Sequence, residues 1–216
     1  MTLDQLRLAC LNCRECGLCE RRTTVVFGEG DPTSPLMLIG EGPGETEDQT
    51  GRPFVGRAGQ LLDKALLDAG TSRAQVFIAN TVKCRAADWS TGRPINRAPT
   101  DAEAAACRPW LLRQIEILQP KVILCVGSPS AKNLIKKDFR ITQERGVYFK
   151  SEYARTILAT LHPAYILRNM SASGNDGGYG LLVQDIGKAW LAALKLAEKD
   201  PAPVLRETNL VQQELF

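Results

Sequence analysis

The sequence is poor in histidine and contains no long hydrophobic run. Its 216 residues include one histidine, His162, which excludes metal sites that need two, such as a zincin helix or a facial iron triad. No apolar run approaches the ~18 residues of a membrane-spanning helix. Residues 1–7 include an acidic side chain and no long apolar stretch, so we expect no signal peptide and no membrane association. The 44% hydrophobic and 24% charged residues are ordinary for a globular protein.

Cysteine, by contrast, is plentiful and unevenly placed. There are seven cysteines, and four of them, Cys10, Cys13, Cys16 and Cys19, lie within the first 19 residues. An odd number cannot form a complete set of intramolecular disulfides, and clustered cysteines in a reducing compartment favour metal binding. The four could hold one centre alone, in a ferredoxin-like run, or one C-x2-C pair could combine with distant cysteines. The spacing does not choose between these. Cys125, within an apolar run, fits a buried hydrophobic residue.

Hydrophobic periodicity predicts alternating strands and helices. The predicted strands cover 36–39, 76–79, 122–126 and 156–159. The predicted helices cover 3–11, 57–69, 101–118, 129–136 and 182–198. The third of these helices begins with a capping box, and Pro109 is expected to kink or split it. A hairpin is predicted over 141–149, and residues 199–216 read as a flexible tail after a domain of residues 1–198.

This alternation predicts an α/β fold with a mostly parallel sheet covered by helices. Ligands bind such sheets at the carboxyl ends of the strands. Those ends carry Glu41 among glycines, Asn80, Gly127 with Ser128, and His162. We therefore expect most of the polar chemistry to gather at one rim.

Each candidate at that rim also has a purely structural interpretation. Residues 40–45, GEGPGE, lack the spacing of a P-loop or a dinucleotide fingerprint, and serve either close backbone approach or a tight turn. The Asn80 amide suits the edge of a nucleobase but could equally cap a turn. His162 could donate a hydrogen bond to a developing oxyanion, although a lone histidine is more often structural.

Five motifs in order bring out a family resemblance. They are GEGPGE at 40–45, GRPFVG at 51–56, NTVKC at 80–84, NRAPT at 96–100 and HPAYILRN at 162–169. Together they resemble family-4 uracil-DNA glycosylases, the iron–sulfur branch of that superfamily, over roughly residues 3–195. The resemblance implies a three-layer α/β/α fold with a central four-stranded, mostly parallel sheet.

The resemblance also implies a [4Fe–4S] cluster. Its ligands would be Cys13, Cys16, Cys84 and Cys107, which leaves Cys10, Cys19 and Cys125 as thiols. Twenty-two residues separate Cys84 from Cys107, more than expected for the family. The extra length falls around Ala86–Ile95, a loop that could reach DNA.

For the reaction, the resemblance implies that uracil is flipped out of DNA and its N-glycosidic bond hydrolysed, leaving an abasic site. Phe54 would stack on the base, Asn80 would read its edge, and Glu47 would lie where a thymine methyl would clash. Glu41 would hold the attacking water, and His162 would stabilise charge on uracil O2. Gly40 and Gly42 complete the substrate-binding set, with the Gly42 amide on O2. The wedge that fills the gap would be Tyr165, Ile166, Leu167 and Arg168.

Three other functions compete with this interpretation. One is a related glycosylase for another deaminated base, such as hypoxanthine. Another is a non-catalytic uracil-binding protein that cross-links to DNA through a histidine, but residues 85–99 contain none. The last is an electron carrier that uses only the four N-terminal cysteines.

The net charge of +3 permits DNA binding without demanding it, so we expect a local basic patch. The candidates are Arg85, Arg93, Arg97, Lys132, Lys136 and Arg168. The final residues, with Gln212, Leu215 and Phe216, resemble the short peptide by which bacterial repair proteins dock on the sliding clamp, and could equally be an untethered end. We expect a monomeric, cytoplasmic protein of prokaryotic type, associated with the nucleoid.

Overall fold

The computed structural model describes residues 1–90, 92–173 and 176–200. The helices are α1 (Leu3–Leu11), α2 (Glu45–Thr50), α3 (Arg57–Asp68), α4 (Asp101–Leu118), α5 (Ser128–Leu134), α6 (Ile141–Glu144), α7 (Pro163–Ser173) and α8 (Tyr179–Lys199). The strands are β1 (Glu29–Gly30), β2 (Leu36–Gly40), β3 (Phe77–Asn80), β4 (Ala87–Asp88), β5 (Ile95–Asn96), β6 (Val122–Val126) and β7 (Thr156–Thr160). In this part of the chain no helix is long and apolar enough to cross a membrane.

The central sheet has the strand order β1-β3-β2-β6-β7. β3, β2, β6 and β7 run parallel and form the predicted four-stranded sheet. The short strand β1 adds an antiparallel edge that the sequence did not predict, because two residues carry no periodicity. The four parallel strands are buried along almost their whole length, which explains why each reads as an unbroken apolar run.

Helices cover both faces of this sheet, as predicted for a three-layer α/β/α fold. On one face, α3 and α8 bring Leu62 and Ile186 against Leu38 and other residues of the sheet. On the other face, α4 packs Leu111 and Ile115 against the alternate strand residues. The alternation of strand side chains thus fills two separate cores, and the polar strand ends remain at one edge.

One local prediction is wrong. The hairpin predicted over 141–149 is replaced by the short helix α6, followed by a single bridge between Phe149 and Ile157. Local contacts favour this helix, since the Glu144 carboxylate accepts from the Arg140 N–H at 2.8 Å. Of the two effects expected of Pro109, the split does not occur, because α4 is continuous from residue 101 to 118.

The sequence analysis also assigned no helix to α2 or α7. A signal for α7 was present, because Pro163 is its first residue and proline favours that position. At the other end of the domain, α8 continues to Lys199. Asp200 then pairs with Lys121 and Arg155, at 3.0 Å each. The remaining residues, 201–216, carry the predicted clamp-binding peptide and lie outside the described residues.

Candidate active site

A cleft of about 750 Å³ opens at the carboxyl ends of the parallel strands. It contains eight of the residues predicted to be catalytic, substrate-binding or part of the wedge. They are Glu41, Gly42, Glu47, Phe54, Asn80, His162, Tyr165 and Arg168. The rim predicted from the strand ends is therefore a real concave surface, as expected for a ligand site in an open α/β sheet.

Gly40 is not among the residues that line this cleft, but it lies beside Asn80 in the sheet. A Cβ atom on Gly40 would lie 2.5 Å from both Asn80 Oδ1 and Phe54 Cζ. Real atoms do not approach so closely, so only glycine allows the amide and the aromatic ring to meet here. Gly42 is similarly restricted, because its Cβ would lie 2.7 Å from Val82 Cγ2.

The Asn80 side chain is buried, with 1% of the residue exposed, and its Oδ1 has no hydrogen-bond partner. Leaving a buried carbonyl oxygen unpartnered costs roughly 1–3 kcal/mol. The backbone carbonyl of Asn80 accepts a hydrogen bond from Lys83 Nζ at 2.8 Å. The residue is thus fixed in place while its side-chain acceptor is left for a ligand that donates a hydrogen bond.

His162 faces the Phe54 ring across the cleft, with 5.7 Å between the ring centroids. Desolvation, and then the charge of Arg168, lower the pKa of His162 to about 4, although Glu47 opposes the shift. The imidazole is therefore neutral at physiological pH. Its Nδ1 accepts from the Ala164 N–H at 3.1 Å, which places the single proton on Nε2. This tautomer gives the cleft a neutral hydrogen-bond donor.

Glu41 follows β2 and is half-buried at the edge of the cleft. Its backbone carbonyl accepts from Thr81 Oγ1 at 2.5 Å and from the Val82 N–H at 3.1 Å, so the turn is tied to the neighbouring loop. Burial raises the pKa of the Glu41 carboxyl above its ordinary 4.5. A carboxylate with a raised pKa is more basic and better suited to hold a reacting water.

Glu47 lines the cleft but also holds the loop that carries Phe54. Its carboxylate accepts from the N–H groups of Gly44, Val55 and Gly56 at 3.1, 2.9 and 2.8 Å. The bond to Gly44 satisfies the N–H of the N-cap residue at the start of α2, as the N3 carboxylate does in one half of a capping box. Glu47 therefore also positions the loop that carries Phe54, a role that was not predicted from the sequence.

The four expected wedge residues lie on α7 and do not share one face. Tyr165 and Arg168 are exposed and line the cleft, and Leu167 is half-buried. Ile166 is fully buried in the core with residues of α3 and α8. Inclusion of Ile166 in the wedge is therefore wrong, because a helix directs consecutive side chains to different faces and this one faces inward.

Six of the seven cysteines line a second, smaller cavity beside α1 and α4. They are Cys10, Cys13, Cys16, Cys19, Cys84 and Cys107. Cys125 is remote from it, buried in β6. Among the described residues, no group of three or more cysteine, histidine or acidic side chains is arranged to hold a single metal ion. A multi-atom centre has different needs, because its ligand sulfurs stand farther apart than those around one ion.

Three sulfur atoms in this cavity accept hydrogen bonds from N–H groups. Trp110 Nε1 donates to Cys13 at 3.3 Å, the Lys83 N–H to Cys107 at 3.2 Å, and Arg22 Nη1 to Cys84 at 3.4 Å. These acceptors are three of the four ligands assigned from the resemblance. Donors aimed at sulfur are typical of sites that stabilise metal-bound thiolates.

The long segment between Cys84 and Cys107 contains a small hairpin formed by β4 and β5. Its second strand leads into Asn96 and Arg97, which line the large cleft. Trp89 packs under the Arg21 guanidinium, 5.3 Å from the ring centroid. The segment thus joins the cysteine cavity to the wall of the cleft, which the sequence analysis left undetermined.

The expected basic patch is partly neutralised within the protein. Arg85 lies 3.6 Å from Glu45, Arg97 lies 2.7 Å from Glu103, and Lys136 lies 2.5 Å from Glu144. The exposed cations that line the cleft are Arg57, Arg97 and Arg168, and of these Arg97 is paired with Glu103. Positive charge near a bound ligand would thus come from the cleft rim more than from the whole surface.

Comparison with known proteins agrees with this architecture. Residues 27–178 match the model of the Uracil DNA glycosylase superfamily. A type-4 uracil-DNA glycosylase of Thermotoga maritima is 45% identical over 82% of this chain and 87% of its own length. Those of Sulfurisphaera tokodaii and Pyrobaculum aerophilum are 41% and 39% identical, over 78% and 81% of this chain and 77% and 89% of their own lengths. This chain therefore belongs to the type-4 uracil-DNA glycosylases of the uracil-DNA glycosylase superfamily.

Proposed function

We propose that this protein excises uracil from DNA, hydrolysing the N-glycosidic bond of a flipped deoxyuridine and leaving an abasic site. The names of its relatives support this activity. The observation that carries the proposal is the buried, unpartnered Oδ1 of Asn80, which lies beside the Phe54 ring in the cleft. A flipped base would supply the missing donor and stack on the ring.

Uracil complements the Asn80 amide. The N3–H of uracil donates to Oδ1, and uracil O4 accepts from the Nδ2–H group. Cytosine presents the opposite pattern, with an acceptor at N3 and a donor at N4. Glu47, whose carboxylate is anchored by backbone N–H groups, would lie near C5 and exclude a thymine methyl group.

Bond cleavage leaves a cationic sugar and a uracil anion. The Glu41 carboxylate stabilises the sugar cation and orients the water that attacks C1′, accepting one of its protons. Nε2–H of His162 and the Gly42 N–H donate to the negative charge that develops on uracil O2. A neutral histidine donates here without transferring its proton, so catalysis rests on preorganised electrostatics.

The gap left in the DNA stack would be filled from α7. Tyr165 and Arg168 lie exposed at the cleft, and Leu167 is half-buried beside them. An aromatic ring and a guanidinium both stack on bases, which suits them to occupy the space of an extruded nucleotide.

The cysteine cavity fits a [4Fe–4S] cluster held by Cys13, Cys16, Cys84 and Cys107. Support comes from the shared cavity and from the N–H donors on three of these sulfurs. When bound, the cluster would supply a covalent cross-link between the N-terminal segment, the loop after β3 and α4. The hydrolysis needs no electrons, so this role is structural.

The C-terminal residues Gln212, Leu215 and Phe216 would dock on the sliding clamp. Two apolar residues at the end of a polar segment suit insertion into a pocket on a partner. A pull-down with purified clamp should retain the full chain and lose a variant truncated at Asn209. Equal retention of both would contradict the docking.

Release of free bases from oligonucleotides tests the proposed activity. Matched single- and double-stranded substrates would carry uracil, hypoxanthine, cytosine or thymine at one position. We expect release of uracil, with cytosine and thymine intact. Preferential release of hypoxanthine would instead favour a related glycosylase, and a stable protein–DNA adduct would favour a cross-linking protein.

A further inference from the structure

Phe54 adopts a backbone conformation that bulky residues rarely occupy. Its φ is +52°, in the left-handed region, and among the described residues other than glycine only Gln119 shares a positive φ. An aromatic residue in this region is strained unless its surroundings impose the conformation. The ring is nevertheless held firmly, since only 6% of the residue is exposed.

Hydrogen bonds from Arg73 hold the backbone around Phe54, although Arg73 does not line the cleft. Arg73 Nη1 donates to the Pro53 carbonyl at 2.9 Å, and Nη2 donates to the Phe54 carbonyl. Two carboxylates hold the guanidinium in turn, with Nη1 2.8 Å from Glu29 and Nε 2.8 Å from Asp63. The planar fork thus has a fixed orientation and contacts two successive carbonyl groups.

Other contacts also hold the loop that carries Phe54, in addition to the hydrogen bonds from Arg73. A Cβ on Gly59 would lie 1.8 Å from the Phe54 carbonyl oxygen, so α3 packs directly against the same peptide. On the cleft side, Glu47 accepts from the N–H groups of Val55 and Gly56. Arg73 therefore fixes the carbonyl groups of the loop while Glu47 fixes its N–H groups.

We propose that Arg73 is a positioning residue that sets the Phe54 ring for stacking on the flipped base. This inference rests on the proposed function, in which Phe54 is the stacking residue. The ion pairs of Arg73 with Glu29, in the edge strand β1, and with Asp63 would then affect the rate of catalysis. Loss of the fork would let Phe54 relax toward a negative φ and move its ring out of register with Asn80 and His162.

A double-mutant cycle tests this coupling. The variants are Arg73→Met, Phe54→Ala and the combination of both, with single-turnover excision of uracil as the readout. We expect Arg73→Met to slow excision about tenfold or more, as for loss of charged hydrogen bonds to a positioned group. In the Phe54→Ala background the same change should have less than about a twofold effect, because the ring it positions is absent.

Arg52→Met is the matched control, because Arg52 pairs with the same Glu29 carboxylate, has a side chain that is 59% exposed, and makes no hydrogen bond to the Phe54 carbonyl. We expect it to remain within about twofold of wild type. Affinity for uracil-free DNA of the same sequence should be unchanged in all variants. Arg73→Lys retains the charge beside Glu29 and Asp63 but not the fork, so it should fold and still be slowed.

The outcomes separate this inference from the function on which it rests. If Phe54→Ala excises uracil as fast as wild type, the stacking role itself is wrong. If Phe54→Ala is slow but Arg73→Met slows both backgrounds equally, Arg73 does not act through Phe54. A normal rate in Arg73→Lys and Arg73→Met would also overturn the inference.

Discussion

Burial controls the chemistry of the two proposed catalytic residues, Glu41 and His162. Desolvation raises the pKa of Glu41 above 4.5 and lowers that of His162 to about 4. Near neutral pH His162 is therefore a neutral imidazole, and the proposed mechanism uses Glu41 as the carboxylate. This division suits a reaction in which a cation and an anion develop at opposite ends of one bond.

The pH dependence of excision should follow this division. Glu41 acts as the carboxylate, so the rate should rise with pH through a carboxyl pKa above 4.5 and then level off. His162 is neutral throughout that plateau, and no loss of rate is expected as the pH passes 6.5. Single-turnover rates between pH 4.5 and 8.5 measure this profile. A rate that falls as pH rises through 6.5 would mean that a protonated histidine is required.

Asn80 should control which base is accepted. In Asn80→Asp the Nδ2–H donor becomes an acceptor and can no longer bind uracil O4. We expect uracil excision to fall by at least about tenfold, with the relative rate on cytosine increased. Release of each base from otherwise identical oligonucleotides measures the ratio. An unchanged preference for uracil would show that Asn80 does not read the base edge.

Helix α7 has two faces with different tasks. Ile166 packs in the core, whereas Tyr165 is exposed at the cleft. Ile166→Ala should lower the free energy of unfolding by about 2–5 kcal/mol, as for other buried aliphatic truncations. Tyr165→Ala should leave stability nearly unchanged.

The Tyr165→Ala variant also tests whether Tyr165 acts as a wedge in duplex DNA or only as part of a DNA-binding surface. Tyr165→Ala should slow excision from double-stranded DNA more than from single-stranded DNA, because only a duplex leaves a gap to fill. Rates on both substrates and denaturant unfolding curves provide the comparison. Equal slowing on both substrates would contradict the wedge assignment.

The N-terminal cysteine segment, the loop after β3 and α4 meet at the second cavity, and substitutions there test the ligand assignment. Cys84→Ser and Cys107→Ser should each lose bound iron and the visible absorbance of an iron–sulfur centre. Cys19→Ser and Cys125→Ser should retain both, since neither is an assigned ligand. Iron analysis of the purified proteins gives the answer. Loss in Cys19→Ser with retention in Cys84→Ser would favour a centre built on the N-terminal cysteines alone.

At the level of the whole molecule, the fold was accessible from the sequence because the four inner strands are buried runs ending in polar residues. Their parallel order then forces Glu41, Asn80 and His162 to one edge. Contacts between residues distant in the sequence could not be predicted in this way. The hydrogen bond from Arg73 to the Phe54 carbonyl joins positions 19 residues apart, and no periodic pattern in the sequence predicts it. The inward face of Ile166 depends on where α7 begins, and the hairpin of β4 and β5 has strands too short to show alternation.

The proposal to test is that the glycosidic bond is broken in the cleft at the strand ends. Its most direct test is release of free uracil from a deoxyuridine oligonucleotide by the wild-type protein and by Glu41→Ala, with DNA affinity measured for both. We expect the wild type to release uracil, and Glu41→Ala to bind the same DNA while excision falls by at least about a hundredfold. Equal excision by the two proteins would contradict the claim.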